Sequence, residues 1–143
     1  MLFDTHCHLN DEAFISDMED VIAHAHEHGV TRMNVVGCDW ESSMKAVEIA
    51  EDHEGIYAIV GVHPGDADTY CDELEEDLRK WADHEKVIVI GEIGLDYHYE
   101  DNPSKEVQEI VFRRQIRLAR EVGLPIVIHS RDAMEDTMRV LKE

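Results

Sequence analysis

Short apolar runs alternate along the chain with longer segments in which apolar residues recur every three or four positions. Runs of the first kind predict β-strands, and segments of the second kind predict amphipathic helices. The alternation repeats about every 30 residues, as expected of βα units. Five strands are predicted, each followed by a helix, at Leu2–Leu9, Arg32–Cys38, Ile56–Val62, Lys86–Asp96 and Leu124–Ile128.

Capping residues and glycines predict where the helices begin and end. Residues 16–19 (Ser-Asp-Met-Glu) fit a capping box before the first helix, and Gly29 stops that helix. Ser104 is expected to cap the long fourth helix, which Gly123 ends. The other helices are predicted over about 41–53, over about 72–84 and from about residue 132 onward. Regular β/α alternation predicts an α/β fold with a parallel sheet, in one domain of residues 1–143.

Acidic residues greatly outnumber basic ones. The 143 residues include 33 Asp and Glu against 13 Lys and Arg, which gives a formal net charge of −20. So acidic a protein is not expected to bind nucleic acid through basic patches, and a phosphate substrate would need cations from another source. The apolar fraction, 43%, is sufficient for the core of one domain.

The cysteines and the first residues indicate a cytoplasmic protein. Cys7, Cys38 and Cys71 are odd in number and have no CxxC spacing, as expected of reduced thiols. The chain starts without a basic segment of the signal-peptide kind, and no run approaches the roughly 18 apolar residues of a membrane span. We therefore expect no membrane association.

Two histidines in the first strand predict half of a metal site. Residues two apart on a strand face the same way, so His6 and His8 project from one face. A buried ring nitrogen without a partner costs about 1–3 kcal/mol, and a cation bound by both rings removes that cost. The alternative is that both rings simply form hydrogen bonds at the end of the strand.

Later strands add candidates of the same kind. Glu92 interrupts the apolar fourth strand, where a carboxylate must be protonated, paired with Lys or Arg, or bound to a metal. Gly91 and Gly94 leave room for a close approach beside it. His63 and His129 follow the third and fifth strands, and parallel strands bring their carboxyl ends to one rim. Imidazole and carboxylate together suit zinc, manganese, iron or nickel, whereas magnesium prefers oxygen alone.

A second histidine pair lies in the first helix. His24 and His28 are four residues apart and therefore share a helix face, where they could bind a metal. The surrounding segment includes Glu27 and has the composition of a solvated surface. We therefore expect no metal site there.

Four successive motifs resemble the TatD family of metal-dependent deoxyribonucleases and related hydrolases, which are amidohydrolase-like TIM barrels. The opening Asp-x-His-x-His pattern is shared widely among such hydrolases, whereas the third motif is close to a hallmark of the TatD family. The motifs are Asp4–Leu9 (DTHCHL), Gly61–Pro64 (GVHP), Gly91–Tyr97 (GEIGLDY) and Leu124–Ala133 (LPIVIHSRDA).

The resemblance implies a site for two divalent ions, whose identity among zinc, manganese, magnesium, iron and nickel stays open. One ion would be held by the first two histidines and the other by the last, with the glutamate bridging them. The implied ligands are His6, His8, Glu92 and His129. His63 and Arg131 would bind substrate or support the ligands.

The chain departs from the family in its length. A complete (β/α)₈ barrel needs about 200 residues or more, and this sequence contains five βα units, so a truncated, partial or open barrel is expected. The family's histidine after strand six and its aspartate base after strand eight have no counterpart here. Because three missing units expose two sheet edges, we expect either self-association or rearrangement into an open, doubly wound five-stranded sheet.

The predicted function is metal-assisted hydrolysis of phosphodiester bonds in DNA, impaired by the truncation. In this reaction a metal-activated water attacks phosphorus while the cations neutralise the phosphate. The net charge favours strand ends or small phosphodiesters over long duplexes. Two alternatives stay open: another amidohydrolase-like activity on an ester or amide, and an inactive half-barrel that binds a metal, a partner or a second copy.

Overall fold

The computed structural model describes every residue of the chain, 1–143. Five strands alternate with five α-helices, and two short 3-10 helices lie at Glu12–Phe14 and Pro64–Thr69. The strands are β1 (Leu2–Cys7), β2 (Val30–Val36), β3 (Ile56–Val60), β4 (Val87–Asp96) and β5 (Ile126–Arg131). The helices are α1 (Met18–Glu27), α2 (Trp40–Asp52), α3 (Asp72–Trp81), α4 (Lys105–Val122) and α5 (Met134–Leu141).

The five strands form a single parallel sheet in the order β1-β2-β3-β4-β5. Each strand therefore pairs with the next strand along the chain, and the sheet curls into half of a barrel. The prediction of a partial barrel is confirmed. The doubly wound alternative was wrong, because a doubly wound sheet reverses its strand order at a switch point and this sheet does not.

Most of the apolar core lies between the sheet and its helices. A cluster of 22 buried residues joins strand residues such as Ile56 and Ile90 to helix residues such as Phe112 and Leu118. A second cluster contains only the strand residues Val36, Ile59 and Val89, with Ile88 and Val127 packed against them. The strands are thus covered unequally, with the large cluster on the helix side.

All five predicted strands and helices are present, but several ends differ: β1 ends at Cys7 rather than Leu9, β2 covers Val30–Val36 rather than Arg32–Cys38, and β3 ends at Val60 rather than Val62. Residues 16–19 do not form a capping box, because α1 begins at Met18 and its N-cap, Asp17, makes no side-chain cap bond. The capping box of this chain lies instead at α2, where Asp39 and Ser42 exchange hydrogen bonds. β5 runs beyond Ile128, because its ladder with β4 continues to the pair Asp96 and Arg131, so His129 lies within the strand.

The two edge strands each pair on one side only. β1 contacts β2 and β5 contacts β4, so each has one row of unpaired backbone groups. Most of β1 is exposed, including Leu2 (61%) and Phe3 (44%), and Ile128 of β5 is also exposed. None of the helices combines the length and the apolar character needed to cross a bilayer.

Candidate metal centre

Strands β1, β4 and β5 bring two kinds of donor, imidazole and carboxylate, to one place. His6 lies in β1 and His8 directly after it, Glu92 lies in β4, and His129 lies in β5. The donor atoms of His6, His8 and Glu92 lie within 4.8 Å of one another, and so do those of His63, Glu92 and His129. The candidates predicted from separate strands therefore meet around one carboxylate.

Glu92 lies between the two histidine groups. Its Oε2 is 3.5 Å from Nε2 of His6, and its Oε1 is 3.1 Å from Nδ1 of His129. The Glu92 side chain is only 16% exposed, and it forms no ion pair with a lysine or arginine. The alternative of a buried Glu–Lys or Glu–Arg pair is therefore wrong.

Asp96 holds the far side of the His129 ring, a contact that the sequence analysis missed. Asp96 Oδ2 lies 2.8 Å from His129 Nε2, and its side chain is 3% exposed. Burial alone would raise the pKa of Asp96, but hydrogen bonds from the His98 backbone N–H and from His129 outweigh burial and lower it. An ionised Asp96 can only accept, so Nε2 of His129 donates, and in the neutral ring Nδ1 keeps its lone pair toward Glu92.

In His8, as in His129, one ring nitrogen donates a hydrogen bond and the other keeps a lone pair. Its Nδ1 lies 3.2 Å from the carbonyl oxygen of Val36, which can only accept a hydrogen bond, so Nδ1 carries the proton. The Nε2 atom then keeps a free lone pair. Asn10 donates to the same Val36 oxygen at 3.0 Å, which further fixes this corner of the rim.

His63 is arranged as a donor. The backbone N–H of Gly65 donates to its Nδ1 at 3.0 Å, which leaves the proton of a neutral ring on Nε2. Burial, and secondarily the neighbouring His129, lower the pKa of His63, so the neutral ring is favoured. Although its nitrogen lies near Glu92 and His129, this tautomer suits donation to a ligand oxygen better than metal ligation.

The donor set fits a divalent cation. Glu92 Oε1 and the lone pair of His129 Nδ1 face each other at 3.1 Å, and two electron-rich atoms repel unless a proton or cation lies between them. His6 and His8 lie side by side, with ring centroids 5.2 Å apart. Nitrogen and carboxylate donors together suit borderline transition metals such as zinc or manganese.

Arg131, predicted to bind substrate or support the ligands, lies outside this cluster of donors, and so do His24 and His28. Arg131 is the last residue of β5 and packs against Tyr99 rather than against Glu92. His24 and His28 are exposed, and no carboxylate joins them in a group of three potential ligands.

The room beside Gly91 and Gly94 is used by β5 and not by a ligand. A Cβ at Gly94, whose φ is +149°, would collide with the carbonyl oxygen of His129. A Cβ at Gly91 would lie 3.0 Å from the Cβ of Val127. These glycines therefore let β5 approach β4 closely, which brings His129 to Glu92.

The sequence matches known proteins over its whole length. Residues 3–143 match the family model described as TatD related DNase. The chain is 51% identical to an uncharacterized metal-dependent hydrolase, YabD of Bacillus subtilis, over 100% of this chain and 56% of that protein. It is 39% identical to the 3'-5' ssDNA/RNA exonuclease TatD of Cronobacter sakazakii, over 92% of this chain and 50% of the relative.

Solved structures give the same result. The chain superposes on the crystal structure of YJJV, a TatD homolog of Escherichia coli K12, with a TM-score of 0.90 and 32% identity. That match covers 99% of this chain and 55% of the other chain. A hydrolase of the TatD family from Entamoeba histolytica matches with a TM-score of 0.88 and 26% identity, over 99% and 53% of the two chains.

The chain spans about half the length of the relatives it matches. Within that span the sequence and the fold agree with one group of proteins. This chain belongs to the TatD related DNase family of metal-dependent hydrolases.

Proposed function

We propose that this chain forms the metal-binding part of a hydrolase that cleaves phosphodiester bonds at the ends of single-stranded nucleic acid. Residues 1–143 would act as one partial (β/α)-barrel domain. The observation that carries the proposal is the position of Glu92, whose two oxygens lie 3.5 Å from His6 Nε2 and 3.1 Å from His129 Nδ1. Relatives named 3'-5' ssDNA/RNA exonuclease support this choice of substrate.

In this proposal His6 and His8 hold one divalent ion, His129 holds a second, and Glu92 is a ligand to both. A divalent cation supplies Lewis-acid stabilisation of the phosphate and activates water for hydrolysis. The protein orients its ligands through Asp96, which fixes the tautomer of His129. His63 donates from Nε2 to a phosphate oxygen and does not ligate the metal.

The net charge of the protein limits the kinds of nucleic acid that can be its substrate. With a formal net charge of −20, the surface repels a long polyanion, so attraction for phosphate is confined to the metal centre. A strand end or a short oligonucleotide presents few phosphates to the acidic surface. Such substrates are therefore preferred over long duplexes.

The experiment that tests this function starts with metal content, measured by plasma mass spectrometry on the purified protein after loading with zinc or manganese. Degradation of 5'-labelled and 3'-labelled single-stranded DNA and RNA is then followed with the loaded protein, using Glu92→Gln as the matched inactive control. Metal-dependent release of nucleotides from one end, lost in Glu92→Gln, is the expected result. Bound metal without cleavage of either polymer would contradict the hydrolase proposal.

The second candidate is a partial barrel that binds metal and associates with another copy but does not turn over. The unpaired edges of β1 and β5 favour it, because both strands run in the same direction and can pair in parallel across two copies. Light scattering should then give a mass well above the 16.4 kDa of one chain. Phe3→Lys, which adds a charge at the exposed edge, should lower that mass, and a monodisperse monomer would contradict self-association.

A further inference from the structure

A half-exposed tyrosine lies beside the metal centre. Tyr99 is in the loop that follows β4, and 52% of it is accessible to solvent. A large aromatic ring that remains exposed next to a polar rim can stack on another planar group.

The Tyr99 ring is fixed by two partners. Nη1 of Arg131 donates to the Tyr99 hydroxyl at 3.0 Å, and the guanidinium carbon lies 5.0 Å from the ring centroid. The His98 ring contacts Tyr99 at right angles, with centroids 4.8 Å apart, and its Nδ1 is 2.9 Å from Asp132 Oδ2. The ring is therefore pre-oriented while about half of its surface stays open.

The same loop is tied directly to the metal centre. One oxygen of Asp96 accepts from the backbone N–H of His98 at 2.9 Å, and the other is 2.8 Å from His129. Arg131 follows His129 by two residues on β5, so it lies on the same face about 7 Å further along the strand. Arg131, and the Tyr99 hydroxyl that it contacts, therefore lie about two strand positions beyond His129.

The cavity that Tyr99 borders favours a neutral ring over a second phosphate. Tyr99 borders a cavity of about 200 Å³ whose single lysine, Lys105, has its Nζ 4.1 Å from the Tyr97 ring centroid. Glu100 lines the same cavity and offsets that charge. The cavity therefore has no surplus of cations to attract an anion, while the aromatic surface remains available.

We propose that Tyr99, backed by Arg131, stacks on the base of the nucleotide next to the phosphate held at the Glu92 site. This inference rests on the proposed hydrolase function and describes how the substrate is held beside the metal centre. Stacking on an aromatic side chain tolerates any base, because every base has a π-face. A base inside a duplex is already stacked and paired, so the contact selects unpaired ends.

The test is binding of two short oligonucleotides with equal charge, measured by fluorescence anisotropy in the presence of manganese. One is a single-stranded thymidine pentamer with hydrolysis-resistant phosphorothioate linkages, and the other has the same backbone without bases. The protein should bind the first about five- to a hundredfold more tightly, the range typical of base–aromatic stacking. Tyr99→Ala should bind both oligonucleotides about equally, and Tyr99→Phe should keep most of the preference.

Trp40→Ala is the matched control, since Trp40 is also an exposed aromatic residue but contacts Trp81 and Asp77 rather than Arg131. It should leave the preference unchanged, and the manganese content of Tyr99→Ala should equal that of the unmodified protein. A full preference in Tyr99→Ala, or equal binding of both oligonucleotides by the unmodified protein, would overturn the stacking contact alone. Binding of neither oligonucleotide would overturn the nucleic-acid function as well.

Discussion

Two pairs of histidines lie side by side on this chain, one at the sheet rim and one on a helix. The ring centroids are 5.2 Å apart for His6 and His8, and 4.3 Å apart for His24 and His28. By distance alone the helical pair is the better metal site. The rim pair has Glu92 within reach, however, and the helical pair has no third ligand in its group.

The difference lies in what surrounds each pair. His28 uses its Nδ1 to donate to the carbonyl oxygen of His24 at 2.8 Å, an oxygen that also accepts from the backbone N–H of His28 at the end of α1. At the rim, neighbouring strands deliver donors from residues 92 and 129, far away in sequence. Two close imidazoles are thus common surface chemistry, whereas a carboxylate fixed between histidines of different strands indicates a metal centre.

The largest effect is expected from Glu92→Gln. Because Glu92 contacts both His6 and His129, the change removes a ligand from both halves of the centre while keeping the size of the side chain. Affinity for zinc or manganese, measured by isothermal titration calorimetry, should fall more than the roughly 10–100-fold caused by loss of a supporting residue. Unchanged metal affinity would mean that Glu92 does not distinguish the rim pair of histidines from the helical pair as a metal site.

A double change at the rim, His6→Ala with His8→Ala, should have the next largest effect. It removes the histidines on one side of Glu92 but leaves His129 in place, so metal content should fall without disappearing. Plasma mass spectrometry of the loaded protein measures this directly. Retention of the full metal content would mean that these histidines only form hydrogen bonds at the strand end.

Asp96→Asn should have a smaller effect, about 10–100-fold on metal affinity. The amide can present either an oxygen or an N–H to His129 Nε2, so it no longer fixes the tautomer that leaves Nδ1 free. Calorimetry compares the variant with the unmodified protein, and a circular dichroism melt checks that the fold persists. A loss as large as that of Glu92→Gln would instead identify Asp96 as a ligand.

The smallest effect is expected from His24→Ala with His28→Ala. Both side chains are exposed and no carboxylate completes their group, so metal affinity and content should change by less than about threefold. The same calorimetric titration measures the change. A tenfold loss would show that the helical pair binds metal after all and would cancel the contrast with the rim.

The positions of the rim residues could be predicted from the sequence alone, because a pattern of apolar runs shows where strands end. His6, His8, Glu92 and His129 each stand in or next to such a run, and parallel strands must bring them to one rim. Asp96 lies in the Gly91–Tyr97 motif, but its contact with His129 was not predicted. Periodicity places a residue on a strand, and it does not show which neighbouring ring a carboxylate will contact.

Two failures have a common physical cause. Ser16 and Asp17 are both good capping residues, and their local sequence does not decide between them. The order of strands in the sheet is likewise absent from local patterns, so the doubly wound alternative could be excluded only by seeing each strand pair with its successor. Both depend on packing between segments that lie far apart along the chain.

Pairing between copies at the open edges of β1 and β5 would link the stability of this molecule to its concentration. Each edge carries a row of amide and carbonyl groups that can join another strand, and any such pairing occurs only in the folded state. By mass action, binding to the folded state alone raises the midpoint of thermal unfolding as the concentration of the partner strand rises. If copies pair in this way, a melting temperature describes the fold only when the protein concentration is stated with it.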